Sequence, residues 1–397
     1  MKGKRTQDHL IFKISLLSIS IFLMMAPAIS PALPLMYHAF AGVDRAGVET
    51  LATIPNIGIV IGLLISPFLI RFLGEKITIL AGLIITLLAG TFPMYATAYS
   101  LILASRFLIG FGIGLFNSLA VSLIPQFYGD NEEKLATMVG FQNVMGGLGA
   151  AIASFLISWL VTISWHAAFA IYFLVIPVLI LFTLFVPLPK PKRLSNEQKH
   201  AKPKQTVNGK VILIAVLMFF IFMFYMPVSF KLPALVVQEK LGTISELSLL
   251  TGILNLVNIP VGASFGFFFK KLHDKIFPVG FSIVTIGMLL ITFANNFAIL
   301  ALGNLILGIG FGLAVPYMYN WLDWSAPENS VNLATTIVLV LVNVGCAISP
   351  MFINAIAPNA KMAFILVSIF FACFTAYAFI HYLRVHKKQV SAKTQKA

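Results

Sequence analysis

Apolar residues recur in stretches of about twenty or more along the whole chain, and such stretches can satisfy their backbone only as helices crossing a bilayer. We read twelve of them, at roughly 10 to 36, 50 to 72, 77 to 94, 99 to 127, 135 to 162, 166 to 187, 211 to 236, 246 to 269, 276 to 294, 297 to 322, 332 to 356 and 361 to 383. Charged residues make up 10% of the chain, against about 25% in soluble domains, so a soluble globular fold is excluded. The expected class is an all-α polytopic membrane protein whose large partner is the lipid bilayer.

The basic residues report orientation. With the N-terminus inside, the inward loops and termini hold 22 Lys and Arg, and the outward side holds Arg45, Lys231, Lys240 and Lys361. This asymmetry places both termini in the cytoplasm and predicts a multi-pass protein of the cell membrane. A basic linker at 188–210 divides the spans six and six, giving an N-terminal bundle at 1–187 and a C-terminal bundle with a basic tail at 211–397.

The two halves repeat at an offset near 198. Gly110, Gly112 and Gly114 recur as Gly308, Gly310 and Gly312, and Leu135-Ala136-Thr137 recurs as Leu333-Ala334-Thr335. Asn56 recurs as Asn255, and Pro27 as Pro227. Two parallel, pseudo-symmetric six-helix bundles are a transporter architecture.

Arg106 lies within an apolar segment, where a charge is costly unless it faces protein or a wet cavity, and it is the leading candidate for substrate binding or coupling. Its repeat counterpart is Asn304, so the second half lacks this charge. Gln142 and Asn143 are candidates to pair with Arg106 across the adjacent helix, and Arg106→Ala is expected to abolish transport while sparing the fold. Asn117, Asn56 and Asn255 can bind solute or join helices. Tyr225, Pro227 and Lys231 form the outer half of the seventh span. Lys231 is expected to snorkel to the interface, with a cavity-facing cation as the alternative. Tyr317 is a candidate for a stacking wall with Tyr319, whereas Trp321 and Trp324 read as an interfacial belt. No Asp or Glu falls deep in a predicted span, Asp323 and Glu246 lying at ends, so proton-coupled exchange of a bulky cation is not expected.

These residues resemble the Major Facilitator Superfamily, and within it the twelve-span, drug-exporter-like bacterial members. The resemblance rests on Arg106 followed by Gly110, Gly112 and Gly114, and on the run Trp165-His166-Ala167-Ala168-Phe169, similar to the turn that opens the sixth span. It implies a role for Arg106 in proton coupling or substrate binding. After the second span the family carries a glycine, an acidic residue and basic residues; here Pro67, Arg71, Gly74 and Lys76 occupy those places, with Arg71 where the acid is expected. The antiporter pattern of the fifth span has a Gly-Pro pair, and this chain has Gly146, Gly147 and Gly149 without proline. Pro27 and Pro227 join these glycines as candidates for packing and gating.

Nothing in the chain suggests an enzyme: there is no phosphate-binding Gly-x-x-x-x-Gly-Lys-Ser/Thr loop, no paired catalytic carboxylates and no cluster of metal ligands. Cys346 and Cys373 both fall in apolar segments. No cofactor, metal or nucleic acid is expected, and a monomer is. The resulting expectation is a secondary transporter exporting an amphipathic small molecule, drug-like or an organic anion, by alternating access, with protons as a candidate coupling ion. The alternative is an importer or facilitator of a small anionic or neutral metabolite; a non-transporting sensor is a further rival.

Overall fold

The structure is a computed structural model and describes residues 9–188 and 206–394. Helices and turns account for its elements, with no strand among the described residues. Most of the 188–210 linker, including Lys192 and Arg193, lies outside the described residues, as do Lys2, Lys4 and Arg5.

The first span opens as α1 (Leu10–Ser18), tightens into 3-10 turns over Ile19–Met24 and Ala26–Ala32, and closes as α2 (Leu33–Ala39). Leu10–Met24 and Ala26–Ala39 meet at a 49° bend. Pro27, Pro31 and Pro34 give the reason, since each removes a backbone donor from the ladder. Asp44 then caps α3 (Arg45–Thr53) by accepting from the Gly47 amide at 2.8 Å. α3 and α4 (Pro55–Leu73) together make one candidate span, Arg45–Leu73, so the second span begins before residue 50, where the apolar run starts. Gly74, at φ 85°, ends α4 and turns the chain into α5 (Glu75–Thr91); only glycine takes that backbone without strain. α6 (Tyr99–Tyr128), α7 (Glu132–Leu160), a 3-10 stretch Ala167–Leu174 and α8 (Val175–Phe185) complete the first half.

The second half comprises α9 (Gly209–Tyr225), α10 (Pro227–Phe230), α11 (Leu232–Gln238), α12 (Ile244–Leu272), α13 (Ile276–Thr292), α14 (Phe297–Ser325), α15 (Val331–Ile356) and α16 (Ala360–Thr394). By length and composition, ten helices of the described residues can cross a membrane, or eleven if the bent first pair is one span. One of the ten, Ile244–Thr292, has 49 residues, about 70 Å of helix against a hydrocarbon core of ~30 Å. It contains the turn His273–Lys275, with His273 at φ 46° and Lys270, Lys271, Asp274 and Lys275 around it. Counted as two spans at that charged turn, it brings the number to twelve.

Two compact units are present. One is the described part of Met1–Pro203 with Ile244–Asn255 and Asn343–Met351; the other is the described part of Lys204–Thr243, Leu256–Val342 and Phe352–Ala397.

In the first unit α6 is the central helix, and glycines set its spacing to its neighbours. A Cβ on Gly112 would stand 2.6 Å from the Gly82 carbonyl oxygen and 2.6 Å from the Thr86 hydroxyl. In the second unit a Cβ on Gly310 would meet the Val284 amide at 2.6 Å and the Gly280 carbonyl at 2.9 Å. Residues 82 and 280, 86 and 284, and 112 and 310 are each 198 apart, so the sequence repeat is a repeat of helix contacts. On the other side of α6, a Cβ on Gly110 would run into the backbone of Pro55, and one on Gly114 into the Ile59 carbonyl.

Gly110→Ala is therefore expected to destabilise the protein by roughly 1–3 kcal/mol, since backbone cannot yield as a side chain can. Gly262→Ala, whose added Cβ has nothing within 4 Å, should leave stability near wild type. Thermal unfolding of both variants in detergent checks this, and equal midpoints for the two would count against the close packing.

Candidate functional site

Arg106 projects from α6 into the interior of the first unit and is fully buried. Its Nε donates to the Leu51 carbonyl at 2.8 Å, Nη1 to the Tyr172 hydroxyl at 2.7 Å, and Nη2 to the Ala26 carbonyl. The ring of Phe169 lies 6.0 Å from the guanidinium carbon, within reach of a cation–π contact. One side chain thus joins α6 to α3, to the 3-10 part of the first span and to the 3-10 stretch Ala167–Leu174. The local sequence supplies these acceptors. Leu51 sits four residues before Pro55, so the donor that would close its helical hydrogen bond is missing and its carbonyl is available. Ala26 lies in the proline-rich tightened segment. Tyr172 is itself fully buried, its ring lying where a Cβ on Gly90 would be.

The partners differ from those expected. Gln142 and Asn143 were the candidates to pair with Arg106, and its bonds go instead to two carbonyls and a tyrosine from elements far apart in sequence. Gln142 is buried on α7, and the side chain of Asn143 lies outside the described residues. Asn117 is half-buried one face along α6. Asn56 donates its amide to the Thr53 carbonyl at 2.8 Å, bracing the break between α3 and α4. Asn255 is half-buried on α12. At the repeat position of Arg106, Asn304 bonds back to Leu300 at 2.9 Å within its own helix, so the second unit has no counterpart of the clamp at that position.

A second buried cation corrects the snorkelling expectation for Lys231. It is 1% exposed, and its Nζ donates to the Asn354 side-chain oxygen at 2.6 Å. The chain breaks at Pro227 and again at the α10–α11 junction, and Lys231 at that junction points inward. Nearby in the same unit, Tyr225 stacks on Phe311 with centroids 4.0 Å apart. Tyr317 is buried, its hydroxyl 3.2 Å from the Asp274 carboxylate, and with Phe277, Trp321, Trp324, His381 and Tyr382 it lines a cavity of about 310 Å³.

The turn after the second span reads differently in structure. Arg71 is exposed, Lys76 donates to the Thr183 carbonyl at 2.9 Å, and the acid at this turn is Glu75, which accepts from Gln126 at 2.8 Å. Among the candidate gating positions, Gly149 has room for no Cβ because the Ile21 carbonyl lies there, Gly146 faces Met24, and Gly147 is half-buried. The carbonyl of Pro27 accepts the Ser30 hydroxyl at 2.6 Å, and Pro227 is buried at the start of α10.

A carboxylate besides Asp323 and Glu246 lies near a span end. Glu49, within the candidate span Arg45–Leu73, is fully buried, and the Tyr37 hydroxyl donates to its Oε1 at 2.8 Å. Sequence reasoning missed it because the apolar run starts at residue 50, whereas the capped helix starts a turn earlier at Arg45. No group of three or more potential metal ligands occurs among the described residues.

Helices long and apolar enough to cross a membrane, with Arg106 and Lys231 buried among them, define a polytopic helical membrane protein. The chain belongs to the Major Facilitator Superfamily, whose family model matches residues 15–350 and 214–397. It is 22% identical over 401 residues to the "Probable nitrate transporter NarT" of Staphylococcus haemolyticus, covering 97% of this chain and 99% of that protein. It is 26% identical over 183 residues to the "Arabinose-proton symporter" of Escherichia coli, covering 45% of this chain; the match spans 38% of that symporter's length. Solved structures with the same fold include the nucleoside transporter NupG, at a TM-score of 0.77, 12% identity and coverage of 95% and 99% of the two chains. The inward-open xylose transporter XylE of Escherichia coli is similar at a TM-score of 0.73, 16% identity and coverage of 92% and 94%.

The clamp changes the outcome expected for Arg106→Ala. Besides any loss of transport, it leaves the buried Leu51 carbonyl without a donor, at a cost of roughly 1–3 kcal/mol, and removes further bonds from the Ala26 carbonyl and the Tyr172 hydroxyl. Arg106→Lys should recover only part of this, because an ammonium cannot span three acceptors with a planar fork. Unfolding of purified variants in detergent measures both; a wild-type midpoint for Arg106→Ala would show that these bonds do not hold the unit together.

Proposed function

We propose that the chain is a secondary transporter of a small anion across the cell membrane, working by alternating access with both termini cytoplasmic. The observation that carries this reading is the buried Arg106 guanidinium, whose hydrogen bonds all go to neutral groups. Carbonyl and phenol dipoles hold the cation in place but leave its unit of positive charge, and in a low-dielectric interior that charge favours an anion. The relative matched along nearly its full length bears the name of a probable nitrate transporter, which supports the same substrate class. The sugar symporter match covers less than half of this chain and weighs less. Orientation rests on the Lys and Arg asymmetry. Lys231, Asn117, Gln142 and Asn255 are proposed as further polar groups along the solute's route, and a single chain as the working unit.

Export of an amphipathic, drug-like molecule is the second reading, favoured by the aromatic face that Tyr225 and Phe311 build in the second unit. Purified protein in proteoliposomes separates the two. Saturable uptake of labelled nitrate, competed by other small anions and unaffected by arabinose, is the expected result. Flux of a lipophilic dye or of arabinose with no anion flux would contradict the anion reading.

A further inference from the structure

We propose that the aromatic cavity of the second unit is a binding site for an alkylated ammonium group, of the kind that choline carries. Its walls come from three elements, all within that unit. Tyr317, Trp321 and Trp324 follow at steps of four and three along α14, so they share one face of the helix. Phe277 comes from the first turn of α13, and His381 from the far part of α16. Asp274, in the turn that precedes α13, supplies a carboxylate.

The rings stand at different angles, as the walls of a cage must. Tyr317 lies nearly parallel to Phe277, at 20° with centroids 5.3 Å apart. Trp324 stands at 81° to Tyr317 with centroids 6.0 Å apart, Trp321 at 62° to Phe277, and His381 lies 4.5 Å from Trp321. Each aromatic face presents the negative side of a quadrupole, so these walls attract a cation and disfavour an anion. The carboxylate adds a full negative charge. Its hydrogen bond at 3.2 Å comes from the neutral Tyr317 hydroxyl, which orients Asp274 without cancelling that charge.

Hydration chooses among cations. A metal ion or a bare ammonium would give up strong hydration for one carboxylate and a set of rings, whereas an alkylated ammonium is weakly hydrated and lays its methyl groups on the ring faces. The volume of about 310 Å³ is at the lower end for small-molecule sites and suits a compact ion. Trp324 is 57% exposed and Asp274 half-buried, so the cavity opens to the outside of the unit at this end. The neighbouring cations Lys271, Lys275 and Arg384 are exposed, where salt screens them more than it screens a carboxylate in the cavity wall. The charge preference is opposite to that of Arg106 in the first unit, so the inference stands apart from the transport reading.

Calorimetric titration of the purified protein in lipid nanodiscs with choline chloride, at about pH 8 where imidazole is neutral, tests the site. In phosphatidylglycerol nanodiscs, after subtraction of empty discs, saturable choline binding is expected. The neutral isostere of choline, with carbon in place of the quaternary nitrogen, should not bind. Asp274→Asn, which preserves size, should weaken choline roughly tenfold, and Trp324→Ala, at an exposed position, by a similar factor. A free cation and a lipid headgroup carry the same ammonium. Choline affinity that falls in phosphatidylcholine nanodiscs assigns the site to the headgroup, and equal affinity in both lipids assigns it to a free solute. Absence of saturable binding in phosphatidylglycerol, equal binding of the isostere, or wild-type affinity in Asp274→Asn overturns the proposal. If Asp274→Asn fails to fold, wild-type affinity in Trp324→Ala overturns it instead. Nitrate flux has no part in these readouts, so failure of the anion reading leaves them intact.

Discussion

The first unit depends on one buried charge. Arg106 has three hydrogen bonds in an interior where each is stronger than in water, and the three acceptors come from three different elements. Apolar side chains alone give helices in a membrane little directional preference, because lipid tails are as apolar as leucine. A guanidinium fork fixes direction as well as distance. The same burial that makes the clamp specific makes its loss costly.

The clamp works because the surrounding chain is built around helical irregularities. Pro55 deprives the Leu51 carbonyl of its helical donor, and the prolines of the first span tighten the segment that offers Ala26. One turn along α6 from Arg106, Gly110 lets the backbone come against Pro55 itself. Small residues and the freed Leu51 carbonyl thus meet on one side of α6, where the arginine packs. In the second unit the glycine contacts recur, while Asn304 makes a bond within its own helix and the buried cation is Lys231 at a break in the seventh span. The pseudo-repeat is therefore one of packing, and the polar chemistry of the two units has diverged.

Packing was legible in the sequence for a physical reason. Glycines recurring at an offset of 198 mark where backbones must approach, and that requirement is local to each helix. Spans were legible because hydrocarbon tolerates no unpaired backbone. What could not be read were the partners of the polar residues. The acceptors of Arg106 lie 55, 66 and 80 residues away, and no periodicity links them. Pro55 was a usable sign, since a proline announces a free carbonyl four residues earlier. Glu49 was hidden by a boundary drawn on hydropathy, when the Asp44 cap marks the true start of the helix. Lys231 was misjudged because snorkelling assumes a regular helix, and Pro227 makes this one irregular.

The account's central claim is that Arg106 and Tyr172 act together as one tie between helices. A double-mutant cycle on unfolding free energy in mixed micelles, using Arg106→Lys, Tyr172→Phe and the pair, tests it most directly. A coupling on the order of 1 kcal/mol or more is predicted, since a charged hydrogen bond between buried groups is shared by both residues. Single-variant effects that add to within about 0.5 kcal/mol would contradict it.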